Sequence, residues 1–168
     1  QLGLGENTKN ADLPAKVELK NKAVKVVCGA KFTMVQCDNG KLYAFGDNRF
    51  GQLGVRGLDS IVATSPEEVQ TIFKKVKDFA CGEEHAAFMD DKGNAYTWGC
   101  GLSGQLGHGD KNGQMKPQKL QIDFKVKNIA CGGSHTALVS ENDEIWMCGR
   151  GRDGQLGAGD TDRAPTFA

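Results

Sequence analysis

No excess charge of either sign marks this chain: 21 Lys and Arg balance 21 Asp and Glu. No net field therefore draws it to nucleic acid or to an anionic membrane. No apolar run approaches the roughly 20 residues needed to span a bilayer, so no membrane partner is expected. No secretory segment opens the sequence, and the six cysteines accordingly read as reduced thiols of a cytoplasmic or nuclear protein. Position 1 is Gln1 and not Met, which suggests an excised fragment or a processed product. Proline is scarce, at four residues, whereas glycine is plentiful, at 23.

The glycines recur at regular places. Gln-Leu-Gly occurs at Gln1-Leu2-Gly3, Gln52-Leu53-Gly54, Gln105-Leu106-Gly107 and Gln155-Leu156-Gly157, so its leucines lie 51, 53 and 50 residues apart. A period near 50 signals stacked copies of one supersecondary unit. At 168 residues such a chain can bury about two-thirds of its unfolded surface.

Each unit reads as short strands between glycine and aspartate punctuation. In the second unit these are Val76–Cys81, Ala86–Met89 and Ala95–Trp98, with a tight turn at Asp90-Asp91-Lys92-Gly93-Asn94. The first unit offers Val24–Cys28, Phe32–Cys37 and Leu42–Phe45, and its Asn39-Gly40 predicts a type I′ hairpin. The third offers Val126–Cys131, Thr136–Val139 and Ile145–Cys148, but its turn, Glu141-Asn142-Asp143-Glu144, lacks the glycine. From the strand-end Cys to the next Gln-Leu-Gly leucine is always 25 residues (Cys28 to Leu53, Cys81 to Leu106, Cys131 to Leu156), while the return to the next Cys takes 26, 28 and 25.

The four prolines all fall in these return segments, at Pro14, Pro66, Pro117 and Pro165. Proline cannot donate to a ladder, so a fourth strand here should be an edge strand. Ser65-Pro66-Glu67-Glu68 with Val69, Ile72 and Phe73 competes as a helix start; the strand is preferred because the equivalent segments lack that box. Four antiparallel strands per repeat make a propeller blade, an all-β fold.

Gly82-Glu83-Glu84-His85-Ala86, Gly132-Gly133-Ser134-His135-Thr136, Tyr96-Thr97-Trp98-Gly99 and Gly104-Gln105-Leu106-Gly107-His108-Gly109-Asp110 resemble the regulator of chromosome condensation repeat over essentially the whole chain. Phe32 stands in the first unit where His85 and His135 stand in the others. The resemblance implies a seven-bladed propeller in which Gly29, Gly46, Gly54, Gly82, His85, Gly99, Gly107, Gly132, His135, Gly149 and Gly157 are framework. One propeller segment is expected over 1–168, with repeats at 1–28 (partial), 28–54, 54–107, 107–157 and 157–168 (partial). That makes about three and a half blades, whereas seven would need about 350 residues. Half of a larger ring, two copies closing on each other, or a short array are the options, since an open arc leaves strand edges that invite association.

Reactive chemistry finds little support. Gly99-Cys100-Gly101-Leu102-Ser103-Gly104 and Gly149-Arg150-Gly151-Arg152-Asp153-Gly154 fit GxGxxG, but no helical pattern follows to meet a pyrophosphate. Cys81-x3-His85 and Cys131-x3-His135 sit on separate repeats, so their donors should not converge on one metal. The histidines are expected to bond neighbouring backbone across blades, and the cysteines to be small apolar core residues. No unit differs in a way that singles out a nucleophile. No cofactor, metal or catalytic residue is expected. Trp98 and Trp146 fall on third strands at positions the resemblance implies are core-facing. Relatives that sense UV-B light carry Gly-Trp-Arg-His-Thr segments, which this chain lacks.

Charge placement points to a face. Strand direction puts the Asp-rich turns and the start of each first strand at one end. There Lys22, Lys25, Lys74, Lys75, Lys77, Lys125 and Lys127 interleave with Asp38, Asp90, Asp91 and Glu144 as a self-neutralising solvated rim. The opposite end should carry all five arginines (Arg49, Arg56, Arg150, Arg152, Arg163) with Glu83, Glu84 and His108. Arginine is enriched at binding hot spots, so the candidate partner-binding residues are Arg49, Arg56, Glu83, Glu84, His108, Arg150 and Arg152. The expected function is a non-catalytic protein-interaction module. The resemblance also implies two alternatives: guanine-nucleotide exchange on a Ran-like small GTPase, or the partner-binding propeller of a large ubiquitin ligase.

Overall fold

The computed structural model describes residues 1–57, 60–71, 75–157, 159 and 167. Ile72, Phe73, Lys74, Arg163 and Pro165 lie outside the described residues. Among the described residues, three antiparallel sheets follow one another along the chain. The first contains β1 (Ala23–Cys28), β2 (Phe32–Cys37), β3 (Leu42–Asp47) and β4 (Val62–Glu68) in that order. The second contains β5 (Val76–Cys81), β6 (His85–Asp90), β7 (Ala95–Gly99) and β8 (Gln114–Lys119), again in chain order. The third holds β9 (Val126–Cys131), β10 (His135–Ser140) and β11 (Ile145–Gly149). The proline-bearing strands β4 and β8 are edges, and Ser65-Pro66-Glu67-Glu68 lies in strand.

These sheets are propeller blades. First strands face first strands, β5 packing against both β9 and β1, which gathers them on one side and fans the outer strands apart. Buried side chains from neighbouring sheets interdigitate: Phe32, Met34, Leu42, Phe45, Phe79, Phe88 and Trp98 form one cluster, and Met89, Leu120, Val126, Ile129 and Leu138 another. The first three copies of Gln-Leu-Gly close this contact, because each packs on the third strand of the following blade and two also bond its second strand. Leu53 and Leu106 are buried. The Gln1 carbonyl accepts from Thr33 Oγ1 at 3.1 Å, and the Gln52 carbonyl from Trp98 Nε1 at 2.9 Å. The Gln105 carbonyl accepts from Thr136 Oγ1 at 2.7 Å. The constant 25-residue span thus crosses one blade: Cys81 Sγ reaches back to the Val27 carbonyl of the preceding sheet at 3.9 Å, and the Gln105 carbonyl reaches forward to Thr136 of the next.

Several expectations need correction. Trp98 is fully buried, but Trp146 is half-buried and stacks on Phe124 with ring centroids 4.8 Å apart. It stands opposite Leu138 in the register, in the place of Tyr96 opposite Phe88, and packs against the second cluster; Cys148 takes the place of Trp98. Cys28 is exposed, because β1 belongs to the first sheet and no earlier sheet covers it. Asp90 is not a solvated rim charge. It is 2% exposed and accepts from the backbone N–H groups of Lys92 and Asn94, Asn94 Nδ2 and Tyr96 Oη. Burial opposes its ionisation, but those donors prevail and hold its carboxyl below the ordinary range. Elsewhere on the rim Lys25 pairs with Asp78, and Lys127 with Asp143.

The hairpin turn is also not type I′. Among the described non-glycine residues only Asp143 has positive φ, so Asn39 does not supply the first left-handed residue that type I′ requires. The Gly40 N–H donates to the Cys37 carbonyl, and Gly40 alone is left-handed (φ 79°). This is a tight turn followed by a left-handed residue, the three-residue hairpin. Gly93 (φ 76°) repeats it, and Asp143 adopts the same conformation at φ 68°. Asp143→Gly should therefore raise stability by about 0.5–1 kcal/mol, the left-handed penalty less an exposed ion pair. A denaturant midpoint unchanged or lowered would contradict that reading of the turn.

Candidate partner-binding face

At the end of each blade opposite the Asp-rich turns lie two loops. An inner loop joins the first two strands (29–31, 82–84, 132–134), and an outer one follows the third strand (48–54, 101–107, 151–157). The inner loops are tied together by backbone: Ala30 N–H donates to the Glu83 carbonyl at 3.3 Å, and Glu83 N–H to the Gly133 carbonyl at 3.0 Å.

Each outer loop is a tandem turn of the same construction. Gly51, Gly104 and Gly154 donate to the carbonyls of Asn48, Gly101 and Gly151, and Gly54, Gly107 and Gly157 donate in turn to Gly51, Gly104 and Gly154. The glutamine of Gln-Leu-Gly locks the fold. Gln52, Gln105 and Gln155 each accept the backbone N–H two residues upstream on Oε1, from Phe50 (3.0 Å), Ser103 (2.8 Å) and Asp153 (2.9 Å). Gln52 and Gln105 are buried polar residues satisfied in this way. This role went unread in the sequence, although recurrence of Gln in all four copies was its signal.

The expected residues divide. Arg49, Glu83, Glu84, Arg150 and Arg152 stand on these loops. Arg49 forks onto Asp47, with Nε to Oδ1 at 2.8 Å and Nη2 to Oδ2 at 2.9 Å, and Gln52 Nε2 adds a third donor at 3.1 Å. The Arg49 hydrogen bond is the main reason that the Asp47 carboxyl sits below its ordinary range. Asp47 likewise raises the Arg49 guanidinium, and the Glu84 charge adds to it from the next blade. Arg150 reaches Asp153 at 3.3 Å, and its N–H donates to the Ser134 carbonyl. Arg152 is exposed.

Arg56 and His108 stand elsewhere, because the chain turns down the blade after Gln-Leu-Gly. Arg56 lines a hollow with Glu67, Glu68 and Val69, beside the end of β4 that pairs with Tyr43 at the start of β3. His108 is half-buried, with Nε2 3.0 Å from Thr97 Oγ1 in mid-strand.

Exposed Cys28 apart, the cysteines and histidines are wholly or partly buried. Burial pushes the Cys131 thiol up to about 12 and raises Cys81 and Cys148, away from the thiolate form that nucleophiles use. His85 bonds across blades as expected, but to a hydroxyl and not to backbone. Thr136 Oγ1 gives its hydrogen to the Gln105 carbonyl and so accepts from His85 Nε2 at 2.9 Å. His85 is therefore the Nε2–H tautomer, and its buried Nδ1 has no partner among the described residues. Burial first, then the nearby His135, lowers its pKa to about 4. His135 is half-buried. Among the described residues, no three His, Cys, Asp or Glu side chains cluster to hold a metal, and no helix is long and apolar enough to cross a membrane.

Comparison with known proteins agrees with this architecture. The regulator of chromosome condensation (RCC1) repeat matches residues 1–36, 39–89 and 92–139. The Protein RCC2 homolog of Xenopus laevis is 37% identical over 126 residues, covering 73% of this chain and 24% of that protein. The E3 ubiquitin-protein ligase HERC2 of Homo sapiens is 30% identical over 127 residues, 73% of this chain but 3% of the ligase. The chain thus spans about a quarter of the RCC2 homolog's length. The crystal structure of human WBSCR16 superposes with a TM-score of 0.81 at 25% identity, covering 93% of this chain and 43% of that one. A β-propeller segment of the same design as these proteins, the chain belongs to the regulator of chromosome condensation (RCC1) repeat family.

Proposed function

We propose that this chain is a non-catalytic protein-interaction module that presents the loop end of its blades to a partner protein in the nucleus or cytoplasm. The carrying observation is a division of labour within the repeat. Most of the residues that could react are spent on packing, with the Cys81, Cys131 and Cys148 thiols pushed up and His85 held neutral. The exposed charged side chains Arg49, Glu83, Arg150 and Arg152, with half-buried Glu84 beside them, stand on rigid loops. The relatives support the same reading. One stretch recurs as a quarter of an RCC2 protein and as 3% of a protein named a ubiquitin ligase, as a module carried into different proteins would.

Charge reversal tests the reading. Arg150→Glu with Arg152→Glu in the full chain should abolish capture of its partner and leave the unfolding midpoint within about 0.5 kcal/mol of wild type, as surface changes do. Lys75→Glu with Lys77→Glu, at the opposite rim, should leave capture unchanged. Capture insensitive to the first pair would refute the assignment of the face. Guanine-nucleotide exchange on a Ran-like GTPase is the rival reading. Faster release of labelled GDP on adding the full chain would favour it; unchanged release would reject it.

A further inference from the structure

The three tandem turns are one scaffold built three times. Their first turns span Asn48–Gly51, Gly101–Gly104 and Gly151–Gly154, each closed by the backbone bond from its glycine and by the glutamine Oε1. The glycines that end them are left-handed, at φ 75°, 79° and 76°. The same position of each turn, the first after the opening residue, is then occupied by Arg49, Leu102 and Arg152. The backbone of the turn and its closing Gly-Gln-Leu-Gly repeat, while this tip position and the one after it (Phe50, Ser103, Asp153) change chemistry. A side chain held out by a locked turn loses little freedom on binding, which is where preorganised contact surfaces gain affinity.

Leu102 is unusual there, since a leucine at a turn tip is 64% exposed while the leucines four residues downstream of the tips, Leu53, Leu106 and Leu156, are buried. Arg49 flanks it on one blade, fixed in place by Asp47 with its side chain still 48% exposed. Arg152 flanks it on the other side. The outer row of tips therefore reads cation, apolar, cation. The inner loops differ: their equivalent positions are Lys31, Glu84 and Ser134, so carboxylate stands inside the apolar tip and guanidinium on its two sides.

We infer that the outer tips Arg49, Leu102 and Arg152 form a recognition row for an acidic protein segment carrying an apolar side chain between two carboxylate clusters. The apolar side chain covers Leu102, the carboxylates pair with the two guanidinium groups, and Glu83 and Glu84 orient the segment by repelling acid from the inner side. This rests on the interaction reading above and names its partner's chemistry. Charge complementarity of this kind sets specificity and salt dependence more than raw affinity.

The test uses three fluorescein-labelled peptides and the full chain, read by anisotropy. The first places a leucine–phenylalanine pair between two runs of glutamate, the second replaces glutamate by lysine, and the third replaces the apolar pair by serines. The first should bind, weaken as salt rises, and lose about tenfold or more in affinity with Leu102→Asp or with Arg49→Glu plus Arg152→Glu. The second and third should bind at least about tenfold more weakly. Unfolding midpoints confirm that each variant is folded, and Leu102→Ser serves if Leu102→Asp is not. Preference for the lysine peptide, still lost in the tip variants, overturns the acidic chemistry and leaves the loop-face reading standing. Failure of the acidic peptide to bind, or binding indifferent to all tip variants, overturns the row. Partner capture by the Arg150 and Arg152 reversal then decides the broader reading separately.

Discussion

Gly99→Ala should abolish the folded state of the second blade. Gly99 ends β7 at φ 101°, a conformation that L side chains rarely adopt, and a Cβ there would lie 2.6 Å from the Glu84 carbonyl oxygen and 2.8 Å from the His85 Cα. Both obstacles are backbone at the entry to the adjacent strand β6, with which Gly99 pairs through His85, so neither can move without opening the sheet. Strain at such a conformation costs about 1–3 kcal/mol alone, and overpacking adds about 1–3 kcal/mol more. The sum approaches the whole stability of a small domain. Gly40→Ala is the matched control. Gly40 is also left-handed, at φ 79°, but has nothing within 4 Å, and the substitution should cost only about 1–2 kcal/mol. Equal denaturant midpoints for the two variants would mean that the close approach of β6 and β7 is not what Gly99 secures.

Acid should unfold the chain in two separable stages, the first governed by His85. Its pKa is lowered from 6.5 to about 4 in the fold, so between those values the unfolded chain binds a proton that the folded chain refuses. Stability consequently rises with pH across that window and is lost as pH falls from 6.5 to 4, by about 3 kcal/mol in all. Half-buried His108, lowered by burial, contributes in the same direction. The carboxylates act later. Asp47 and Asp90 are lowered from 3.8, so their contribution persists above that value and disappears only below it. His85→Phe separates the stages, because Phe32 already fills the equivalent place in the first blade. The variant should keep the low-pH stage and lose most of the slope between pH 6.5 and 4. A wild-type slope retained in the variant would remove His85 as its source.

The parts of this molecule that were legible in the sequence are those the repeat states three times. Strand order and the edge strands at Pro66 and Pro117 follow from periodicity, because each copy must make the same contact with its neighbour. The misread parts depend on single side chains whose partners are distant or unrepeated. Asp90 looks like a turn charge until Asn94 and Tyr96 close over it. Trp146 looks like Trp98, but register gives it the place of Tyr96, and there it is only half-buried. Arg56 follows Gln-Leu-Gly as the tips precede it, yet the chain reverses between them, and only the pairing of Val55 with Val69 reveals that. The face itself was half legible: strand direction gives the end on which Arg49, Glu83 and Arg150 stand, but the locked turn that displays Leu102 is a property of three-dimensional hydrogen bonding.

Hydrogen exchange across the full chain, with and without its bound partner protein, tests the assignment of recognition to the loop end most directly. We predict protection on binding concentrated at residues 29–31, 47–51, 83–84, 100–104 and 150–153, with the turns at 38–40, 90–93 and 141–143 exchanging as before. Protection confined to those turns, or spread along the inner strands with the loop tips unchanged, would contradict it.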